Sequence, residues 1–159
     1  MIVQSVLPKA GLEEGAAAEA MQPLPQPLRT LRAALDRIGI RYCHWKSNIR
    51  LSRALSGMED IDLLVHREDA CHFQAALAEA GFRRTTSRAG LGHPGVFHAL
   101  ALDEESGRLV HLHAYVQIVG GDSLVKSYRL PVEAMLLSDH RLLHGWPVPS
   151  PEAELAVFV

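Results

Sequence analysis

Asp60 and Asp62 stand one residue apart at the head of an apolar run formed by Ile61, Leu63, Leu64 and Val65. On a strand, residues two apart project from the same face, so both carboxylates leave one side of the chain. Like charges placed this way repel unless a cation or solvent absorbs the charge. Converging carboxylate oxygens suit a hard divalent ion: Mg2+ (or Mn2+) takes one or two of them and fills its other positions with water and substrate phosphate. Upstream, the stretch Trp45-Lys46-Ser47-Asn48 ends one expected strand and precedes an expected short helix. The first turn of a helix offers free N–H groups to phosphate, and Ser47 adds a hydroxyl. Arg50 and Arg53, three apart, extend the same cradle.

A second polar group lies downstream in "RLVHLHAYVQIV". Alternation puts His111, His113, Tyr115 and Gln117 on one face and Val110, Leu112, Ala114, Val116 and Ile118 on the other. If the polar face meets the aspartates, His111 or His113 stands beside them as a neutral ligand or a general base, since free imidazole titrates near about 6.5. The competing reading is a polar strand face hydrogen-bonded locally or open to solvent. His98, on the expected partner strand, shares the argument with less force. His44, His66, His72, His93, His140 and His144 are scattered and are expected on the surface or in loops.

The elements that must position these residues follow from periodicity and punctuation. Leu28, Leu31, Ala34, Leu35 and Ile38 recur at helical spacing, with Pro27 at the start and Gly39 at the end. "IRYCHWKS" reads as a short strand, "NIRLSRALSG" as a short helix or loop, and "DIDLLV" as a buried strand. "REDACHFQAALAEAGF" is an amphipathic helix closed by Gly81, and "FRRTTSR" is a further strand. After the loop "AGLGHPG", residues 96–119 are expected to form a hairpin around Gly107. A helix is expected over 131–137, a strand near Leu142, and a last helix from Ser150-Pro151-Glu152. The order predicts an α+β fold, a mixed sheet flanked by helices. Trp45 is expected as a core anchor beneath the Lys46–Ser47 turn, and Trp146 as a pin for the C-terminal segment. Residues 1–26 read as a flexible tail and 27–159 as one domain. The last helix stops with an apolar face and no cap, which suggests a domain truncated at its C-terminus or one that meets a second copy or a partner domain through that helix.

Composition bounds the chemistry. The chain of 159 residues is 48% hydrophobic with a formal net charge of -2, enough for one core and too little positive charge for a field that draws in long nucleic acids. Charge is local instead: seven basic residues lie between Arg29 and Arg53 against one acid, Asp36. Cys43 and Cys71 belong to no CxxC pair, so a cysteine zinc site is not expected. No apolar run is long enough to span a bilayer, and the N-terminus lacks the order of a signal peptide. The expected setting is the cytoplasm.

Ser47, a loop, then Asp60-Ile61-Asp62 followed by Leu-Leu-Val resembles the signature of the DNA polymerase β-like nucleotidyltransferase superfamily, in its short, minimal form. The resemblance covers roughly residues 28–118. It implies a nucleotidyltransferase fold, metal ions held by Asp60 and Asp62, and NTP phosphates held by Ser47 with Lys46, Asn48 and Arg50 beside it. Two positions depart from the pattern. Lys46 stands where the family has glycine and can supply a positive charge. The strand where the family often carries a third carboxylate has none, and His111 or His113 takes its place. The resemblance thus implies transfer of a nucleoside monophosphate from an NTP, ATP being the expected one, to a small molecule, a tRNA end or a protein, with Asp60, Asp62 and His111 as the catalytic group. Two alternatives remain open: an inactive binding or regulatory module of the same fold, and a phosphotransferase using the same site.

Overall fold

Leu28, Leu31, Ala34 and Leu35 form the buried stripe of α1 (Gln26–Ile38), as their spacing predicts. The helix ends where Gly39 turns left-handed at φ 76° and bonds back to the Leu35 carbonyl, a conformation that glycine adopts without steric penalty. These features belong to a computed structural model that describes residues 23–86, 92–120 and 128–158. Residues 1–22 of the expected tail and part of the "AGLGHPG" loop lie outside the described residues.

After α1 come β1 (Tyr42–His44), a single 3-10 turn (Asn48–Arg50), α2 (Leu51–Leu55) and β2 (Ile61–Val65). A second 3-10 turn (Arg67–Asp69) runs into α3 (Ala70–Glu79), followed by β3 (Arg83–Thr85), β4 (Val96–Asp103) and β5 (Arg108–Tyr115). These strands make one mixed sheet in the order β1-β2-β5-β4-β3. β2 and β5 run parallel, and the other neighbours are antiparallel. A parallel pair cannot be joined by a tight turn, so the chain reaches β5 from β2 only after α3 and the β3–β4 excursion. That detour places the histidine strand beside the aspartate strand.

The two faces of the sheet are covered unequally. On one face α1, α2 and α3 bury Tyr42, Ile61, Leu63, Val65, Phe97, Ala99, Val110 and Leu112 in the larger core. On the other, α4 (Glu133–Ser138) and α5 (Pro151–Phe158) contribute Leu136 and Ala153 to a smaller cluster over Cys43, Trp45, Leu64 and Tyr115. No helix of the described residues is long and apolar enough to cross a membrane.

Two features differ from the sequence reading. The stretch expected as one strand through Val119 is broken: β5 ends at Tyr115, and β6 (Ile118–Gly120) pairs with β7 (Tyr128–Leu130) in a separate ribbon. The Val116 N–H still donates to the Gly95 carbonyl in the register of β4 and β5, but Gly95 is left-handed at φ 73° and the partner strand goes no further, while the Ile118 N–H donates to the Glu133 carboxylate instead. The C-terminal segment also carries a second ribbon, β8 (His140–Leu143) with β9 (Trp146–Pro149). Its proline-rich second strand hid it. Trp146, fully buried, packs edge-to-face on Tyr42 with ring centroids 6.0 Å apart, which is how it pins the segment.

Candidate functional site

The site begins with pairing on both sides of β2. On one side the Trp45 N–H donates to the Asp62 carbonyl at 3.2 Å, so the Lys46–Ser47 turn starts next to Asp62. On the other, Asp62 is in register with His113 of β5, and His113 with His98 of β4. Alternation then brings His111, His113 and Tyr115 to the aspartate face.

Each of these side chains reaches a carboxylate. His111 Nδ1 lies 2.8 Å from Asp60 Oδ1. His113 sits between the acids, with Nε2 3.4 Å from Asp60 Oδ2 and Nδ1 3.2 Å from Asp62 Oδ1. The Tyr115 hydroxyl donates to the same Asp62 oxygen at 3.1 Å, and Trp45 packs edge-on against the Tyr115 ring. His98 joins through His111, its Nδ1 3.3 Å from His111 Nε2, and its ring meets the edge of His113 at 4.3 Å. The two aspartates are therefore linked by an imidazole rather than facing each other directly. One ligand atom from each of His98, His111 and His113 lies within 4.8 Å of the others.

Burial grades the site. Asp60 precedes the strand and is half exposed, whereas Asp62 is 7% exposed. Burial alone would raise the Asp62 carboxyl, but the His113 hydrogen bond, the Lys46 charge and the Tyr115 hydroxyl outweigh it and hold its pKa below the ordinary value. Tyr115 moves the opposite way: burial, and then the Asp62 charge, push its phenol up. Asp62 is thus a buried carboxylate kept ionised by its neighbours.

The turn residues divide. Ser47 is exposed and left-handed at φ 57°, an uncommon conformation for a residue with a Cβ, and its carbonyl accepts from the Arg50 N–H. Lys46 is half-buried within electrostatic range of Asp62. Asn48, expected beside phosphate, instead turns inward, with Oδ1 2.7 Å from His44 Nδ1. His44 corrects the sequence reading outright: it is buried, not on the surface. Every residue of β1 is buried, so no position on that strand is open to water, and burial lowers the His44 pKa. His44 Nε2, Trp45 Nε1 and Asn48 Nδ2 are buried without hydrogen-bond partners among the described residues. Arg50 and Arg53 converge on Glu59, at 3.7 and 2.8 Å, a partner that charge spacing alone did not single out.

A cavity of about 190 Å³ lies elsewhere, between Leu24, Ser56, Asp103 and Ser106. It is five residues along β4 from His98, or about 17 Å, and holds none of these groups. The aspartate–histidine cluster is an open sheet face instead. Compared with protein-family models, curated proteins and solved structures, the chain matches none.

Proposed function

We propose that the chain is a metal-dependent nucleotidyltransferase domain, which moves a nucleoside monophosphate from an NTP, ATP being the expected one, to an acceptor hydroxyl or amine. The observation that carries this reading is the Trp45–Asp62 backbone bond, which sets the Lys46–Ser47 turn beside the Asp60/Asp62 pair. Phosphate-binding groups and metal-binding carboxylates then occupy one edge of one sheet. The mixed sheet with β5 parallel to β2 is compatible with the fold that the resemblance implies.

The donor set fits Mg2+ or Mn2+: two carboxylates on one side of β2 reach the same imidazole from opposite edges, so an ion held by both displaces that ring. When bound, such an ion neutralises phosphate charge and orients the reacting groups. The chain supplies the rest. Lys46 and Ser47 hold phosphate oxygens, and His44 Nε2, Trp45 Nε1 and Asn48 Nδ2, buried without partners among the described residues, mark a polar environment around the turn. The acceptor oxygen or nitrogen bonds to the α-phosphorus as the bond from that phosphorus to the bridging oxygen breaks, and pyrophosphate leaves. His111, oriented through Nδ1 by Asp60, takes the acceptor's proton at Nε2 once the contact of that nitrogen with His98 Nδ1 opens.

Calorimetric titration of each NTP with Mg2+ or Mn2+ tests the reading. Metal-dependent binding to wild type that disappears in the Asp60→Asn, Asp62→Asn variant is expected; no such binding to wild type overturns it. A second reading, a binding module that performs no transfer, is favoured by His113 lying between the acids and by the absence of any carboxylate on β5 at this site. Product analysis separates them: pyrophosphate for nucleotidyl transfer, nucleoside diphosphate for a phosphotransferase, and neither for a module.

A further inference from the structure

The second nitrogens of the site's histidines have a different use. A carboxylate accepts hydrogen bonds, so a ring nitrogen facing one carries the proton. His111 turns Nδ1 to Asp60, which leaves Nε2 as its lone-pair nitrogen. His113 faces a carboxylate at both nitrogens, but only its Nδ1 makes a hydrogen bond, to Asp62 at 3.2 Å, while Asp60 Oδ2 stands 3.4 Å from Nε2; with the proton on Nδ1, Nε2 offers the lone pair. A carboxylate behind the far nitrogen is the usual support of a metal-bound histidine, fixing its tautomer and raising its basicity. His98 brings Nδ1 from the neighbouring strand, 3.3 Å from His111 Nε2; it donates to that nitrogen in the metal-free chain, and it binds an ion once the ring carries its proton on Nε2 instead. That separation matches the edge of a tetrahedron with metal–nitrogen bonds of about 2.0–2.1 Å, the bond length of Zn2+ to imidazole. Asp60 Oδ2, 3.4 Å from His113 Nε2, is a fourth donor at the same spacing.

We infer that His98, His111 and His113 form a binding site for a borderline divalent ion of the Zn2+ class, with Asp62 as the carboxylate that orients His113. Imidazole-rich sets favour such ions over Mg2+, which prefers oxygen. The three ligand atoms lie within 4.8 Å of one another, so small ring rotations bring them onto one ion. The inference goes beyond the nucleotide reading and does not rest on it. The two ions make opposite demands on His113: one held by both aspartates needs the ring displaced, whereas a Zn2+-class ion needs it in place. A zinc-loaded chain also has the His111 Nε2 lone pair on the ion, so it takes no proton.

The test titrates Co2+ and then Zn2+ into the full, chelator-stripped chain while following visible absorption, which is intense for tetrahedral Co2+. One Co2+ per chain with tetrahedral bands, displaced by one equivalent of Zn2+, is expected. Removal of a ligand should cost at least the roughly 10–100-fold in affinity that loss of a supporting residue costs, so His98→Ala should weaken Co2+ binding by that factor or more. His98 is exposed, so this variant keeps the fold, as circular dichroism can verify. A Cys71→Ser background removes the exposed thiol as a competing ligand. No tetrahedral bands in wild type, or a His98→Ala titration superimposable on wild type, overturns the inference. Nucleotide binding is scored separately with Mg2+, so its absence counts against the nucleotide reading alone.

Discussion

Asp69 shows how one side chain joins separate segments. Its oxygens accept from the Arg41 backbone N–H at 3.0 Å and from the guanidinium at 2.8 and 2.9 Å, tying the entrance of β1 to the entrance of α3. The Arg41 side chain, first of these causes, holds the Asp69 carboxyl down at about 2 from an ordinary 3.8. A depressed carboxyl stabilises the fold above its unfolded value, and the gain is lost as pH falls through the folded value. Solvent screening limits the pair to about 0.5–1 kcal/mol. Wild type should therefore exceed Asp69→Asn by that amount in denaturant melts at neutral pH, with the gap narrowing below pH 3.8 and closing near pH 2. A gap unchanged across that window would mean the carboxylate charge is not what stabilises the junction. The same scale explains what could be read in advance at the site. Asp60, Asp62, His111 and His113 announce themselves by type and by period-two spacing. His44 does not, because neighbours distant in sequence cover β1.

At the scale of elements, the break between β5 and β6 decides which face residues belong to the site. Gly95 stands where the partner strand ends, left-handed at φ 73°, and its carbonyl accepts the last in-register bond, from the Val116 N–H. A Cβ at Gly95 would press into the Gln117 side chain, whereas one at Gly39 would meet open space. Both substitutions carry the left-handed penalty of about 1–2 kcal/mol, and Gly95→Ala adds the collision. Urea denaturation should find Gly95→Ala the more destabilised of the two. Equal losses would show that Gln117 simply moves aside. Gln117 shared the polar face in the alternating pattern, yet its amide donates to the Pro94 carbonyl and the strand ends before it. Alternation predicted the direction of the side chains through Tyr115, but it carried no information about where the ladder stops.

For the whole molecule, the unequal covering of the sheet matters most. One face is sealed by α1, α2 and α3, and the C-terminal ribbon is fastened to the edge strand β1 through Trp146 and Val148 in the same core. Trp146→Ala should cost about 3–5 kcal/mol, a large share of the 5–15 kcal/mol that typically holds a domain together. A loss below about 1.5 kcal/mol in urea or thermal melts would show that the ribbon is attached without being part of the core. The opposite face is covered only in part: Asp62 is buried there, while Asp60 and the histidines keep some exposure to solvent.

Local rules were sufficient for much of this protein. Helical spacing and a closing glycine located α1, period-two alternation chose the polar face of β5, and the short apolar run after Asp60 marked β2. Each depends on contacts within a few residues, which sequence spacing reports directly. Tertiary pairing decided the rest. That β5 lies parallel to β2, that His98 reaches His111 across a hairpin, that His113 rather than empty space lies between the carboxylates, and that His44 is sealed from water all depend on residues far apart in the chain. Such contacts are set by strand order and by the unequal burial of the two sheet faces, which spacing along one strand does not encode.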